Sequence, residues 1–91
     1  MMIINLADVL DNYRPESWGN RGETWPEHAD YLWASAPGYM SRMTAHMRKL
    51  GAWFGGPMEV DDDVVQDGHH RIVIAAELGM YTMPIPVDDL G

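Results

Sequence analysis

The chain has no cysteine. That excludes disulfides and every chemistry that needs a thiolate. Positive charge is scarce: six Lys and Arg stand against fourteen Asp and Glu, a formal net charge of −8. A protein that grips a nucleic-acid backbone unaided carries a basic patch, so direct nucleic-acid binding is disfavoured. Arg42, Arg48 and Lys49 form the only basic cluster. No apolar run approaches the roughly 20 residues of a membrane helix, and the N-terminus lacks a basic region backed by an apolar stretch. These absences point to a soluble, cytoplasmic protein with no membrane partner.

What is present suits one small domain spanning residues 1–91. Apolar residues make up 46% of the chain and four are Trp, so a packed core is expected rather than disorder. Met2-Ile3-Ile4 suits a strand. Asn5 caps a short helix in which Leu6, Val9 and Leu10 recur at i, i+3, i+4. Asp11 to Gly22 is rich in turn formers and reads as one long loop holding Arg14, Glu16, Trp18 and Arg21.

Thr24-Trp25-Pro26-Glu27 fits a capping box, and its helix runs to about Ala34. A second helix follows from Pro37 to Leu50, with Met40, Met43, Met47 and Leu50 on one face and Gly51 closing it. Pro57-Val60 and Val64-Gln66 form a hairpin about the Asp61-Asp62-Asp63 turn. Three solvated carboxylates are the ordinary reading of that turn, a divalent cation the rarer one. Met83 to Val87 is a last strand, and Pro84 and Pro86 argue for an edge position because each lacks a ladder donor. The order of elements gives an α+β fold with a small mixed sheet and about four helices.

The chain is organised around Asp67-Gly68-His69-His70-Arg71 and the apolar run Ile72 to Leu78 that follows. Asp67 or Gly68 caps a helix that Gly79 ends. Apolar nearly all round, that helix is buried. Its polar start therefore gathers free amides and the positive end of the helix dipole, which suits a phosphate or carboxylate. Arg71 adds a guanidinium able to grip an oxyanion with two parallel hydrogen bonds. Its structural alternative is an ion pair with Glu77 or an acidic loop. His69 and His70 are adjacent, so only one of them can enter a common pocket. Asp67 is a cap or a water-mediated Mg²⁺ ligand. Glu16, Glu23 and Glu27 are candidate catalytic carboxylates that the pattern does not separate. No spaced His or Cys completes a tightly bound metal set.

These residues also carry a resemblance. Asp67-Gly68-His69-His70-Arg71, two alanines, Glu77-Leu78-Gly79 and Met83-Pro84-Ile85 resemble the signature of the ParB/sulfiredoxin superfamily, over about Pro57 to Val87. The resemblance implies a nucleotide- and phosphate-binding core in which Gly68, His69, His70 and Arg71 hold phosphate, with His70 the histidine on the ligand. It implies ATP, ADP or CTP as ligand, with Mg²⁺ as a companion. Sulfiredoxins carry a catalytic Cys where His69 stands, so their activity is excluded. The helix-turn-helix that follows the core in ParB proteins has no counterpart before Gly91. The chain looks most like the small stand-alone ParB-like nuclease domains of actinobacterial phages, which would place it in a host cytoplasm. Two functions follow as expectations. One is a nucleotide-binding module, with an enzyme or nuclease activity left open. The other is an interaction protein that disables a host protein through exposed Trp18, Trp25, Trp33 and Trp53.

Overall fold

The computed structural model describes residues 2–16 and 23–90. Its elements are β1 (Met2–Asn5), α1 (Leu6–Asn12), β2 (Arg14–Pro15), α2 (Trp25–Ser35), α3 (Pro37–Leu50), β3 (Met58–Asp61), β4 (Val64–Asp67), α4 (His69–Glu77) and β5 (Pro84–Asp89). Four helices and a five-stranded mixed sheet make the fold α+β. The strand order is β1-β5-β3-β4-β2. The β1/β5 and β3/β4 pairs are antiparallel, and the β3/β5 and β2/β4 pairs are parallel.

Side chains alternate across a strand, so one face of the sheet collects Met58, Val60, Val65, Ile85 and Val87, all buried. They join Leu6 and Val9 of α1, Leu32 of α2, Met40 and Met47 of α3 and the centre of α4 in one core. In α4 the four consecutive residues Ile72, Val73, Ile74 and Ala75 are buried. Four residues about 100° apart are spread round the whole helix, so this turn of α4 is enclosed on every side. It packs on α1, α2 and α3.

The helix ends follow local chemistry. Asn5 Oδ1 accepts from the Asp8 amide at 2.9 Å and starts α1. At α2 the Thr24 hydroxyl accepts from the Glu27 amide at 3.3 Å while the Glu27 carboxylate accepts from the Thr24 amide at 3.0 Å. Thr24→Ala is expected to cost about 1 kcal/mol, read as a melting temperature lower by roughly 4–8 °C. Gly51 ends α3 at φ 66°, its amide donating to Met47 O. Past α4, the Gly79 and Met80 amides donate to Ala76 O and Ala75 O, each at 3.0 Å, satisfying carbonyls the helix leaves open.

Three expectations change. The long loop is interrupted: α1 continues to Asn12, and Arg14–Pro15 is a short strand beside β4, its Arg14 amide donating to Asp63 O at 2.8 Å. Ser17 to Gly22, with Trp18 and Arg21, lies outside the described residues. Leu50 leaves the methionine face, 51% exposed at the last turn of α3, while Met40 and Met47 are fully buried. Finally, β5 is not an edge: it lies between β1 and β3. The stagger explains how it tolerates two prolines. β1 pairs with Pro84 to Val87, whereas the β3 register begins at Val87, past both prolines, so neither takes a donor from that ladder.

Candidate functional site

The junction from β4 into α4 has no loop. Gly68 alone makes it, at φ 110°, a conformation that burdens any residue with a Cβ. A Cβ there would also lie 3.4 Å from Met58 Cγ and 3.5 Å from Arg71 Nη2. Among the described residues no side chain caps the helix, so the amides of its first residues lack the partner that Asn5 and Thr24 supply elsewhere. Asp67 is the last residue of β4 and exposed, not a cap.

Arg71 folds back over the loop that precedes β3. Its Nη1 donates to Phe54 O at 2.6 Å and Gly56 O at 2.7 Å. Its guanidinium carbon sits 4.3 Å from the Trp53 ring centroid, a cation–π contact. Gly55, at φ 80°, permits the wrap, since a Cβ there would come within 3.0 Å of Nη1. The ion pair with Glu77 is therefore not made. The Glu77 carboxylate instead accepts from Trp33 Nε1, at 2.8 and 3.0 Å. Burial lowers the Arg71 pKa while Asp67 and Tyr39 oppose it, and the group remains cationic at neutral pH. Nε and Nη2 have no hydrogen-bond partner among the described residues.

Arg71 lines a pocket of about 260 Å³ that also touches Gly68, His70, Asp67, Tyr39 and Phe54. The two histidines part company here. His70 lines the pocket, its ring edge-on to Tyr39 with centroids 5.0 Å apart. Burial lowers its pKa, His28 adds to that and Asp67 opposes it. His69 turns away. Val65 O accepts from both His69 Nε2–H at 2.5 Å and the Glu16 amide at 3.2 Å. A nitrogen donating to Val65 cannot also accept from Glu16, so the 3.3 Å approach of that amide to Nε2 follows from the shared acceptor. The pocket thus draws on Gly68, His70 and Arg71 but not on the His69 ring.

Three of the acidic candidates are engaged elsewhere. Glu27 belongs to the α2 cap, and Glu23 lies against His28 Nδ1 at 2.7 Å. Asp63 pairs with Arg14 Nε at 3.3 Å. Among the described residues no group of three or more His, Asp or Glu side chains is placed to hold a metal ion. Trp25, Trp33 and Trp53 are half-buried against the core rather than exposed. Their indole N–H groups donate to Tyr13 O, Glu77 and Gly56 O respectively. Trp18 lies outside the described residues. Among the described residues no helix is long and apolar enough to cross a membrane.

A larger pocket, about 770 Å³, lies between α1, α2 and α4. Its one described cation, Arg14, is paired with Asp63, and Glu23, Asp30 and Glu77 edge it with negative charge. It suits an anion far less than the small pocket does.

Tyr39 and His28 escaped the sequence reading. Tyr39 reaches the pocket from the start of α3, a contact that no short-range pattern encodes. His28 had a signal: it precedes buried Leu32 by one helical turn and so shares the inward face of α2. No protein-family model, curated protein or solved structure matches the chain.

Proposed function

We propose that the chain binds the phosphate of a nucleotide in the pocket at the start of α4. The observation that carries this reading is a convergence. Arg71, whose Nε and Nη2 have no partner among the described residues, lines one small cavity with His70 and Gly68, at a helix start that no described side chain caps. Arg71 favours an oxyanion through charge-assisted hydrogen bonds, the helix start through its dipole, and the neutral His70 ring through its N–H. The resemblance of the turn to the phosphate-binding turn of the ParB/sulfiredoxin superfamily supports the same reading. A cavity near 260 Å³ is below the usual range of roughly 300–1,000 Å³ for whole small-molecule ligands. It takes a phosphoryl group and leaves the nucleoside to the rim, where Tyr39 offers an aromatic ring. Exposed Asp67 at that rim repels the phosphate unless a cation intervenes. A Mg²⁺ carried in by ATP, ADP or CTP would bridge them, with Asp67 as a water-mediated ligand.

The same arrangement accommodates catalysis. Its lowered pKa leaves His70 neutral at pH 7 and able to accept a proton from an attacking water. The partner-binding alternative drew on the net acidity, the missing DNA reader and four exposed tryptophans. With three of them half-buried and hydrogen-bonded, no particular observation favours it over phosphate binding.

Calorimetric titration with ATP, ADP, CTP and GTP, with and without Mg²⁺, tests the proposal. The informative variant is His70→Ala. Its ring contacts are with exposed Tyr39, so the fold does not lean on it. Loss of one charge-assisted or neutral hydrogen bond should weaken binding by about tenfold, with the melting temperature nearly unchanged. Asp67→Asn should remove the Mg²⁺ dependence. No heat with any nucleotide, or affinity indifferent to His70→Ala, would sink the reading.

A further inference from the structure

The larger pocket, between α1, α2 and α4, shares no described residue with the pocket at the start of α4. Small side chains leave the room for it. Ala29 of α2 and Ala76 of α4 present methyl groups where longer side chains would close the gap. Leu10, Tyr13, Trp25 and Val73 extend the apolar lining. At about 770 Å³ the cavity falls inside the roughly 300–1,000 Å³ range of small-molecule sites. An apolar wall with a few fixed polar groups is the usual make-up of such sites.

The polar groups select the occupant. Trp25 Nε1 donates to Tyr13 O at 2.9 Å, so this indole offers ring surface and no free donor. Trp33 Nε1 donates to both oxygens of Glu77, at 2.8 and 3.0 Å, and holds that carboxylate at the end of α4. A carboxylate has about four acceptor positions, so Glu77 can still receive a charged donor. Asp30 is exposed on α2, and its carboxylate has no partner among the described residues. Glu23, the third carboxylate at the cavity, is engaged with His28 at 2.7 Å. The one cation described there, Arg14, is paired with Asp63 at 3.3 Å. An anion would meet repulsion from Asp30 and Glu77, and a neutral apolar molecule would leave both unused. A cation is attracted by both, and by the aromatic rings of Tyr13, Trp25 and Tyr81.

We propose that this cavity binds a small aromatic amine in its ammonium form. The apolar body lies against Ala29, Val73 and Ala76, and the nitrogen takes the rim where Asp30 and Glu77 stand. The inference is independent of the nucleotide reading, because the two cavities have no described residue in common.

Three indoles of similar shape separate charge from apolar burial: tryptamine is a cation, skatole is neutral and indolepropionate is an anion. Each is titrated into the isotope-labelled full chain, and the indole N–H resonances of the protein report place and affinity together. Tryptamine is expected to shift the Trp25 and Trp33 signals, while Trp53, beside Arg71, stays still. It should bind at least about tenfold tighter than indolepropionate. Asp30→Asn and Glu77→Gln keep the shape of the rim, and the new amide oxygen at position 77 still accepts from Trp33. Each should weaken tryptamine by about threefold and leave skatole unchanged. No shift at millimolar tryptamine, equal affinity for the cation and the anion, or tryptamine binding indifferent to both substitutions would overturn the proposal. So would movement of the Trp25 and Trp33 signals on raising the protein concentration alone, which would give the groove to a second copy of the chain.

Discussion

Arg71→Ala is expected to abolish nucleotide binding and to lower stability by about 2 kcal/mol at the same time. The two effects come from different atoms. Nη1 is committed to the fold, through Phe54 O and Gly56 O, and the guanidinium plane lies on Trp53. Nε and Nη2 remain for a ligand. Truncation therefore unties the loop from Trp53 to Gly56 and removes the cation of the proposed anion site in one step. At this chain length about 2 kcal/mol corresponds to a melting temperature lower by roughly 8–16 °C. Arg71→Lys restores the charge but not the fork. A single ammonium cannot serve two carbonyls and a phosphate together, so both properties should recover only in part. His70→Ala separates them, losing affinity without stability. An Arg71→Ala protein with an unchanged melting temperature would show that the loop does not depend on the guanidinium. Lost stability with intact nucleotide binding would place the ligand elsewhere.

This double use of one side chain also shows where sequence reading stops. The start of α4 was legible because its signals are local: Gly68 at the turn, polar residues behind it, an apolar run and Gly79. The capping box at Thr24 and the span of α3 between Pro37 and Gly51 were legible for the same reason. Arg71's partners were not. They are backbone carbonyls 15 and 17 residues earlier, in a loop whose apolar sequence gives no hint that it curls round a cation. An acidic partner was the natural guess, yet Glu77 is occupied by Trp33 from 44 residues away.

The sheet divides along the same line. The β3–β4 hairpin was legible from its Asp turn. Strand β2 was not, because two residues make no alternating pattern and their pairing with β4 spans about fifty positions. The place of β5 was misread because proline bars a donor from a ladder, and only the stagger of the register shows that no such donor was needed from the β3 side. Of the pocket, Gly68, His70 and Arg71 came from one short stretch, while Tyr39 required the packing of α3 beside it.

The second large effect concerns the helix that carries the site. Ile74→Ala should destabilise the chain by about 3–4 kcal/mol, whereas Leu50→Ala should change it by less than about 0.5 kcal/mol. Both positions are long aliphatic residues in helices, and hydropathy alone ranks them alike. Burial does not: Ile74 is 0% exposed and Leu50 is 51% exposed. Around Ile74 the core is closed on every side of α4, so the space left by the lost atoms cannot fill by collapse of one neighbour, and the cavity adds to the lost transfer energy. Leu50 ends α3 with half its surface already in water, so truncation forfeits little. Small domains hold only about 5 kcal/mol or so of net stability, so Ile74→Ala consumes most of it. Urea unfolding followed by circular dichroism should show the Ile74→Ala midpoint lower by about 2–3 M, with the Leu50→Ala midpoint almost unmoved. A small shift at Ile74 would mean that α4 is not the centre of the core. The start of α4 would then be a peripheral turn, poorly fixed for the positions that phosphate binding asks of Gly68, His70 and Arg71.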